Sequence, residues 1–317
     1  MSEILKGAPV ANALTEQLAA RAEALKARGV QPTLAIVRVG ENDSDLSYER
    51  GAMKRCEKIG INVKHYVLGS NVSQTELLGV IDEINRDSGI HGCLMFRPLP
   101  KHIDQRAVCE ALVVNKDVDC MTERSLCGVF TGSGVGFAPC TAQSVMEILK
   151  YYGYDLAGKR AAVIGRSLVI GRPVSMLLMR ANATVTMCHT KTVDMPGVCR
   201  EADILVVAAG HAGTVDWTYV HPNQVVIDVG INVDAEGKLC GDVKYDEVLP
   251  HVKAITPVPG GVGSVTTAVL CSHVIEAAER AAKCRHSKLL SRRCSPACAW
   301  ASAASCSSRW TTALLAR

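Results

Sequence analysis

Four stretches of the chain hold residue types whose spacing could do chemistry. Gly165-Arg166-Ser167-Leu168-Val169-Ile170-Gly171-Arg172-Pro173 lies between an apolar run, 159–164, and a helical pattern, 173–180. Glycines in such a turn allow a tight bend and close backbone approach. The following helix N-terminus offers free N–H groups and a positive dipole end to a phosphate. The spacing departs from GxGxxG, so the strand–turn–helix context carries the reading. A NAD-binding unit sets an acid at the end of the next strand to hold the ribose 2′-hydroxyl. Here that strand ends Cys188-His189-Thr190-Lys191-Thr192, with no carboxylate. Donors and positive charge suit a 2′-phosphate, so the sequence favours NADP over NAD.

Pro257-Val258-Pro259-Gly260-Gly261-Val262-Gly263 is rigid and poor in side chains. A flat ring can lie against such backbone, although a purely structural turn has the same composition. Lys116-Asp117-Val118-Asp119 sets two acids in one loop. Ser47-Tyr48-Glu49-Arg50-Gly51-Ala52-Met53-Lys54-Arg55 lies on a helix, where a mid-helix glycine costs about 1 kcal/mol against alanine.

The intervening patterns alternate between helix and strand. Residues 10–28 carry apolar Val10, Leu14, Leu18, Ala22 and Leu25 at helical spacing. A strand over 34–40, a helix over 46–58 closed by Gly60, and a strand over 61–68 follow. Ser73 and Glu76 form a capping box that opens a helix to Arg86. A strand over 92–96 and a helix over 104–112 complete this half. The pattern restarts at Pro139 with a helix over 141–152. Strands follow at 159–165, 183–188, 203–208 and 225–229, with a helix over 173–180 between the first two. A final helix, 265–282, is expected to return to the first half. The fold class is therefore α/β, with parallel sheets covered by helices. It has two domains, the second a Rossmann-like doubly wound unit. The glycine-rich stretch at 132–136 suits a hinge.

Composition removes several classes. The chain has 317 residues and 48% hydrophobic residues, with 35 Lys+Arg against 31 Asp+Glu. No apolar run approaches the roughly 20 residues of a membrane helix. The N-terminus lacks the long apolar stretch of a secretory signal, so a cytoplasmic protein is expected. Residues 284–317 carry six bases and no acid, and the first 283 carry 29 bases against 31 acids. The expected folded part is thus mildly acidic, which argues against nucleic acid as a partner. The 284–317 extension breaks the periodicity and reads as a disordered or non-native tail. Ten of the 14 cysteines precede it, mostly single and within apolar runs, without zinc spacing. No metal and no disulfide framework are expected.

Taken together and in this order, these residues resemble the bifunctional methylenetetrahydrofolate dehydrogenase/methenyltetrahydrofolate cyclohydrolase (FolD) family. The similarity runs from about Ile4 to Lys283. It is carried by Lys116–Asp119, Pro139-Cys140-Thr141, Gly165-Arg166-Ser167 with Gly171 and Pro173, Asp228–Asn232, Gly241-Asp242-Val243 and Thr256–Gly263. The resemblance implies a folate-binding catalytic domain, 1–138, completed by helix 265–283. It implies a Rossmann-like NADP-binding domain over 139–264, a cleft between the two, and a homodimer. Gly165, Arg166, Ser167, Thr190 and Ile231 would line the cofactor site. Tyr48, Asp119, Pro257, Gly260 and Gly261 would face the folate.

Three departures stand out. The family's helix motif is Ser-x-x-Tyr-x-x-x-Lys-x-Lys, and its first lysine serves the cyclohydrolase. Counting back from Gly60 puts Tyr48 on the tyrosine, Ala52 on that lysine and Lys54 on the second. Counting forward from Ser44 puts Ser47 and Gly51 there instead. The family's Gln-Leu-Pro-Leu-Pro reads Phe96-Arg97-Pro98-Leu99-Pro100, and its Pro-Met-Thr reads Ser264-Val265-Thr266. At about 100° per residue, Ala52 lies about 40° and Arg55 about 20° from Tyr48 around the helix, whereas Lys54 lies about 120° away. The resemblance predicts an NADP-dependent dehydrogenase with Tyr48 and Asp119 in its site. Its cyclohydrolase is weakened, absent, or rebuilt around Lys54 or an arginine. Two rivals share the architecture. A dinucleotide sensor would need neither Asp119 nor the Pro-Gly loop, and an amino-acid dehydrogenase would need an active-site lysine near a glycine-rich strand, which is not found.

Overall fold

A computed structural model describes residues 2–293 of the chain. The first half runs β1 (Glu3–Ile4), α1 (Gly7–Lys26), β2 (Thr33–Val39), α2 (Asp43–Ile59), β3 (Asn62–Leu68), α3 (Gln74–Arg86), β4 (Gly92–Met95), α4 (Gln105–Ala111) and α5 (Glu123–Thr131). The second runs α6 (Cys140–Tyr151), β5 (Arg160–Ile164), α7 (Gly171–Arg180), β6 (Thr184–Cys188), α8 (Met195–Arg200) and β7 (Ile204–Val207). It continues with β8 (Val225–Asp228), β9 (Asn232–Val233), β10 (Leu239–Cys240), α9 (Tyr245–Val248), β11 (Ala254–Ile255) and α10 (Thr266–Arg293). The chain divides into two units, Met1–Ala278 and Glu279–Arg317. Both sheets belong to the first, and the described part of the second is the end of α10. The helix extends past Ala282, so the basic extension begins as helix. The rest of it, 294–317, lies outside the described residues.

Strands β3-β2-β4 form a parallel sheet, and β1-β11-β8-β7-β5-β6 form a second parallel sheet. Central β2 is buried almost throughout, as its TLAIVRV run requires, and β3 at the edge is exposed or half-buried along its length. One difference from the sequence pattern is β1. It leaves the first half and pairs with β11, so the N-terminus forms the edge of the second sheet. Two-residue strands carry no period, and only long-range pairing creates them. The antiparallel β9–β10 hairpin and helices α5 and α8 were likewise not expected from the pattern.

Local chemistry pins the helices. The Ser73–Glu76 capping box is present on α3. Helix α2 opens on an Asn42 cap and closes on Gly60 at φ 86. It is a single unbroken helix, fixed to β2 by a buried ion pair, Arg38 Nε to Glu49 Oε2 at 2.9 Å. His65 Nδ1 on β3 meets the other Glu49 oxygen at 3.0 Å. Helix α10 packs back on the first half as expected. Cys271 Sγ lies 3.7 Å from Cys56 Sγ, and His273 Nδ1 lies 2.8 Å from the Val118 carbonyl.

The Lys116–Asp119 loop divides its work. Lys116 Nζ donates to the carbonyls of Ile84, Asn85 and Asp87 at the end of α3. This satisfies acceptors that a helix C-terminus leaves open. The buried Asp117 carboxylate accepts from the Met121 and Thr122 N–H groups at 2.8 and 2.9 Å. It also accepts from the Thr122 and Ser125 hydroxyls at 2.7 and 2.6 Å, which starts α5. Asp117 is therefore scaffold, and Asp119 is the acid left for the site. Asp117→Ala leaves buried donors unsatisfied and is expected to destabilise the protein by about 3 kcal/mol. Asp119→Ala is expected to cost about 1 kcal/mol or less. Urea unfolding midpoints at constant slope measure both.

Candidate active site

The first cluster forms where α2, the loop after β4 and the start of α10 meet. Tyr48 projects from α2, partly buried, with Thr266 nearby. Its ring meets Phe96 edge-on, with centroids 6.2 Å apart and planes at 83°. Burial first, then the nearby Cys140 and Asp119, push the Tyr48 hydroxyl well above its ordinary value. Tyr48 is therefore held as a neutral phenol, able to donate a hydrogen bond. Asp119 Oδ1 accepts from the Cys140 N–H at 3.2 Å, which ties the loop to the start of α6. Cys140 is buried, and burial raises its thiol well above the usual range. It acts as packing beneath Asp119 and not as a nucleophile. Burial also lowers the His273 imidazole, which stacks on Phe137 at 4.9 Å.

The cations of the helix are distributed unevenly. Ala52, one turn from Tyr48, is fully buried. Ser47 and Gly51 are exposed, and it is Tyr48 that meets Phe96 and Thr266. Lys54 is exposed and is not gathered into the cluster. Arg55 Nη1 donates to the Thr15 hydroxyl at 2.8 Å and so belongs to the α1–α2 contact. The cation that does reach the cluster is Arg97, with Nη2 3.6 Å from Asp119 Oδ2 and both side chains 25% exposed. Sequence alone does not single out Arg97 among the arginines. The contact spans two loops and leaves no pattern in either.

The second cluster lies at the ends of β5, β6 and β8. Gly165, at φ 117, turns the chain so closely under the Ala208 carbonyl that a Cβ would stand 2.2 Å from that oxygen. The Ser167 hydroxyl accepts from the Ile170 N–H at 3.1 Å, which shapes the turn into α7. Arg166, Ser167, Thr190 and Lys191 are exposed around it, with no acid at the β6 end. A close backbone turn, a helix N-terminus and basic side chains fit a dinucleotide with a 2′-phosphate.

Asp228 organises the remaining wall. Its buried carboxylate accepts from the N–H groups of Gly230, Asp242 and Val243 at 2.9, 3.1 and 3.0 Å. Asp242 in turn accepts from the Gly210 N–H and the Asn232 amide at 2.8 and 2.9 Å. A Cβ at Gly241 would fall 1.9 Å from Asp228 Oδ2, which explains a glycine there. The loop 229–231 then faces Pro257–Ser264 across a cavity of about 210 Å³. Ile231, Pro257, Gly260 and Gly261 all line this cavity, and Ile231 is 68% exposed. The same loop runs directly into Thr266, so the cavity and the Tyr48 cluster share one segment.

Burial raises the Asp228 carboxyl to about 6, against the opposing pull of its three N–H donors. Its folded value thus lies above the unfolded 3.8. It contributes stability that is complete below about pH 4 and lost as pH rises through about 6. Carboxyl carbon NMR is expected to give Asp228 a titration midpoint near 6.

Comparison with known proteins agrees with this geometry. Residues 5–119 match the tetrahydrofolate dehydrogenase/cyclohydrolase catalytic domain. Residues 139–282 match the NAD(P)-binding domain of the same family. The chain is 54% identical over 281 residues to the bifunctional protein FolD of Carboxydothermus hydrogenoformans, covering 88% of this chain and 98% of that protein. The FolD dehydrogenase/cyclohydrolase structure from Campylobacter jejuni superposes with a TM-score of 0.85 at 38% identity, over 88% of this chain and 99% of that one. The Trypanosoma brucei enzyme, complexed with NADP and an inhibitor, gives 0.83 at 32% identity, over 89% and 98%. With two parallel sheets, a dinucleotide turn and matches along both halves, the chain belongs to the tetrahydrofolate dehydrogenase/cyclohydrolase family, the FolD enzymes of one-carbon folate metabolism.

Proposed function

We propose that this FolD enzyme carries its two activities unequally, with a complete dehydrogenase site and a cyclohydrolase site that lacks its lysine. The reaction is the NADP-dependent oxidation of 5,10-methylenetetrahydrofolate to 5,10-methenyltetrahydrofolate, followed by hydrolysis to 10-formyltetrahydrofolate. The carrying observation is that Tyr48 packs on Phe96 next to the Arg97–Asp119 pair, close to where the Pro257–Ser264 loop enters α10, with Ala52 buried one turn from Tyr48. Residues 1–138 with helix 265–283 form the folate-binding part in this reading, and 139–264 the cofactor-binding part. A cytoplasmic homodimer completes it.

NADP supplies the nicotinamide that accepts the hydride. Gly165, Arg166, Ser167 and Thr190 would hold its phosphate end and Ile231 would border its ring, while the Pro257, Gly260 and Gly261 backbone would face the folate. Asp119 anchors the pterin by accepting hydrogen bonds. The neighbouring nitrogen lone pair of the substrate stabilises the cation left when the hydride departs. Orientation therefore dominates this step, and the chain retains the residues for it.

Hydrolysis makes a different demand. Water must add to that cation and lose a proton. Tyr48, held neutral, can donate but cannot take the proton. An arginine stays protonated and is a poor base. Lys54 is exposed. Without a positioned general base the step loses about 10²–10⁴-fold.

A paired assay on the full chain tests this. Methenyl formation from methylenetetrahydrofolate with NADP is expected at ordinary enzymatic rates. Decay of supplied methenyltetrahydrofolate is expected to stay near its spontaneous rate, and Ala52→Lys is expected to raise it by about 10²-fold or more. Wild-type hydrolysis at the dehydrogenase rate, lost in Lys54→Ala, would show the lysine's role rebuilt at residue 54. A folate titration followed by fluorescence with no binding would favour the sensor instead.

A further inference from the structure

Resting on the folate reading above, we propose that Arg97 is a substrate-binding residue which, together with Asp119, recognises the 4-oxo edge of the pterin ring. That edge presents three groups in a row: the O4 carbonyl, the N3–H and the exocyclic 2-amine. One acceptor is followed by two donors. A carboxylate alone matches the two donors and has nothing for the carbonyl. Arg97 and Asp119 side by side present the complement, one donor group followed by two acceptors.

The local geometry leaves both partners open to such a ligand. Arg97 Nη2 and Asp119 Oδ2 are 3.6 Å apart, an ion pair but longer than a hydrogen bond. A guanidinium that served only to hold this loop would be expected to use its fork at hydrogen-bond distance. Among the described residues the Arg97 side chain has no contact at that distance, so its five N–H donors are not used up. Asp119 is oriented from behind by the Cys140 N–H at 3.2 Å, and each of its oxygens keeps a lone pair. Both side chains are only 25% exposed, which limits competition from water. Beside them Phe96 has turned its ring onto Tyr48, so residue 96 offers no polar contact and the neighbouring residue supplies one.

The test compares two folate analogues as inhibitors of the full-length enzyme, one 2-amino-4-oxo and one 2,4-diamino at the pteridine. The diamino compound sets an amine donor against the Arg97 donors. Wild type is expected to prefer the oxo compound. In Arg97→Leu the KM for methylenetetrahydrofolate is expected to rise about 10- to 100-fold. The oxo-over-diamino ratio falls toward one, and the KM for NADP holds. Arg97→Lys keeps part of the preference as a point charge. An Arg97→Leu variant with unchanged folate KM and unchanged analogue ratio overturns the proposal. If that variant does not fold, as shown by a lost NADP response, the wild-type preference and the Arg97→Lys variant decide it. A wild type without preference, or a lysine variant identical to it, overturns it. No turnover of methylenetetrahydrofolate by wild type would sink the folate reading itself.

Discussion

Three backbone N–H groups from two loops converge on one buried carboxylate, that of Asp228, and much of the cavity follows from this. A buried carboxylate is tolerated only when its lone pairs are filled. Among the described residues no side-chain cation fills them, so the backbone must come to the acid. That requirement draws Gly230 and residues 242–243 inward, and it forbids a Cβ at Gly241. The Asp228 N–H also binds the Thr256 hydroxyl at 2.8 Å, so the start of the Pro257–Ser264 loop is set from the same residue. Both walls of the cavity thus hang from one position at the end of β8. Asp242 repeats the device one step out and reaches Gly210 and Asn232. The Asp-Val-Gly-Ile-Asn and Gly-Asp-Val motifs, 10 residues apart along the Asn232–Asp242 bond, are two halves of a single network.

The sequence is legible where structure is local. The capping box of Ser73 and Glu76, the glycine that ends α2 and the apolar run of β2 each declare themselves within a few residues, and each lies where expected. Elements that exist only through distant contacts are silent. Strand β1 is two residues that pair with β11 some 250 positions away, and α5 depends on the Asp117 carboxylate that gathers its first donors. The same limit divides the site. The glycine turn at 165 and the Pro-Gly loop can be read from composition. Which of Asp117 and Asp119 is scaffold cannot, because both sit in one loop and differ only in what the fold brings to them. The Arg97–Asp119 pair is invisible for the same reason.

Helix α2 shows how one element can serve two chemistries unequally. Its inner face carries Tyr48, Ala52 and Cys56 at four-residue steps, and its outer face carries Lys54. The buried Arg38–Glu49 pair, next to Tyr48, fixes rotation about the helix axis, since turning the helix would strand both charges. Lys54 therefore cannot be brought inward by a small adjustment. Ala52, buried one turn from Tyr48, leaves that face of the helix without an amine.

The remaining cation near the site is an arginine, and the difference from a lysine is chemical as well as steric. A lysine near neutrality can take up and release a proton, so it can act on water. An arginine keeps its charge at any working pH, so it can hold a carbonyl or balance a carboxylate but cannot serve as a base. On the proposal above, exchanging the first for the second serves recognition of the folate while withholding proton transfer. Oxidation of the methylene bridge needs alignment and little else from the side chains, and it is unharmed by such an exchange. Hydrolysis of the methenyl cation needs the proton transfer and loses most. In the proposed reading, a site with Arg97 beside Asp119 and Ala52 beside Tyr48 is therefore coherent as one that favours oxidation of the methylene bridge over hydrolysis of the methenyl product.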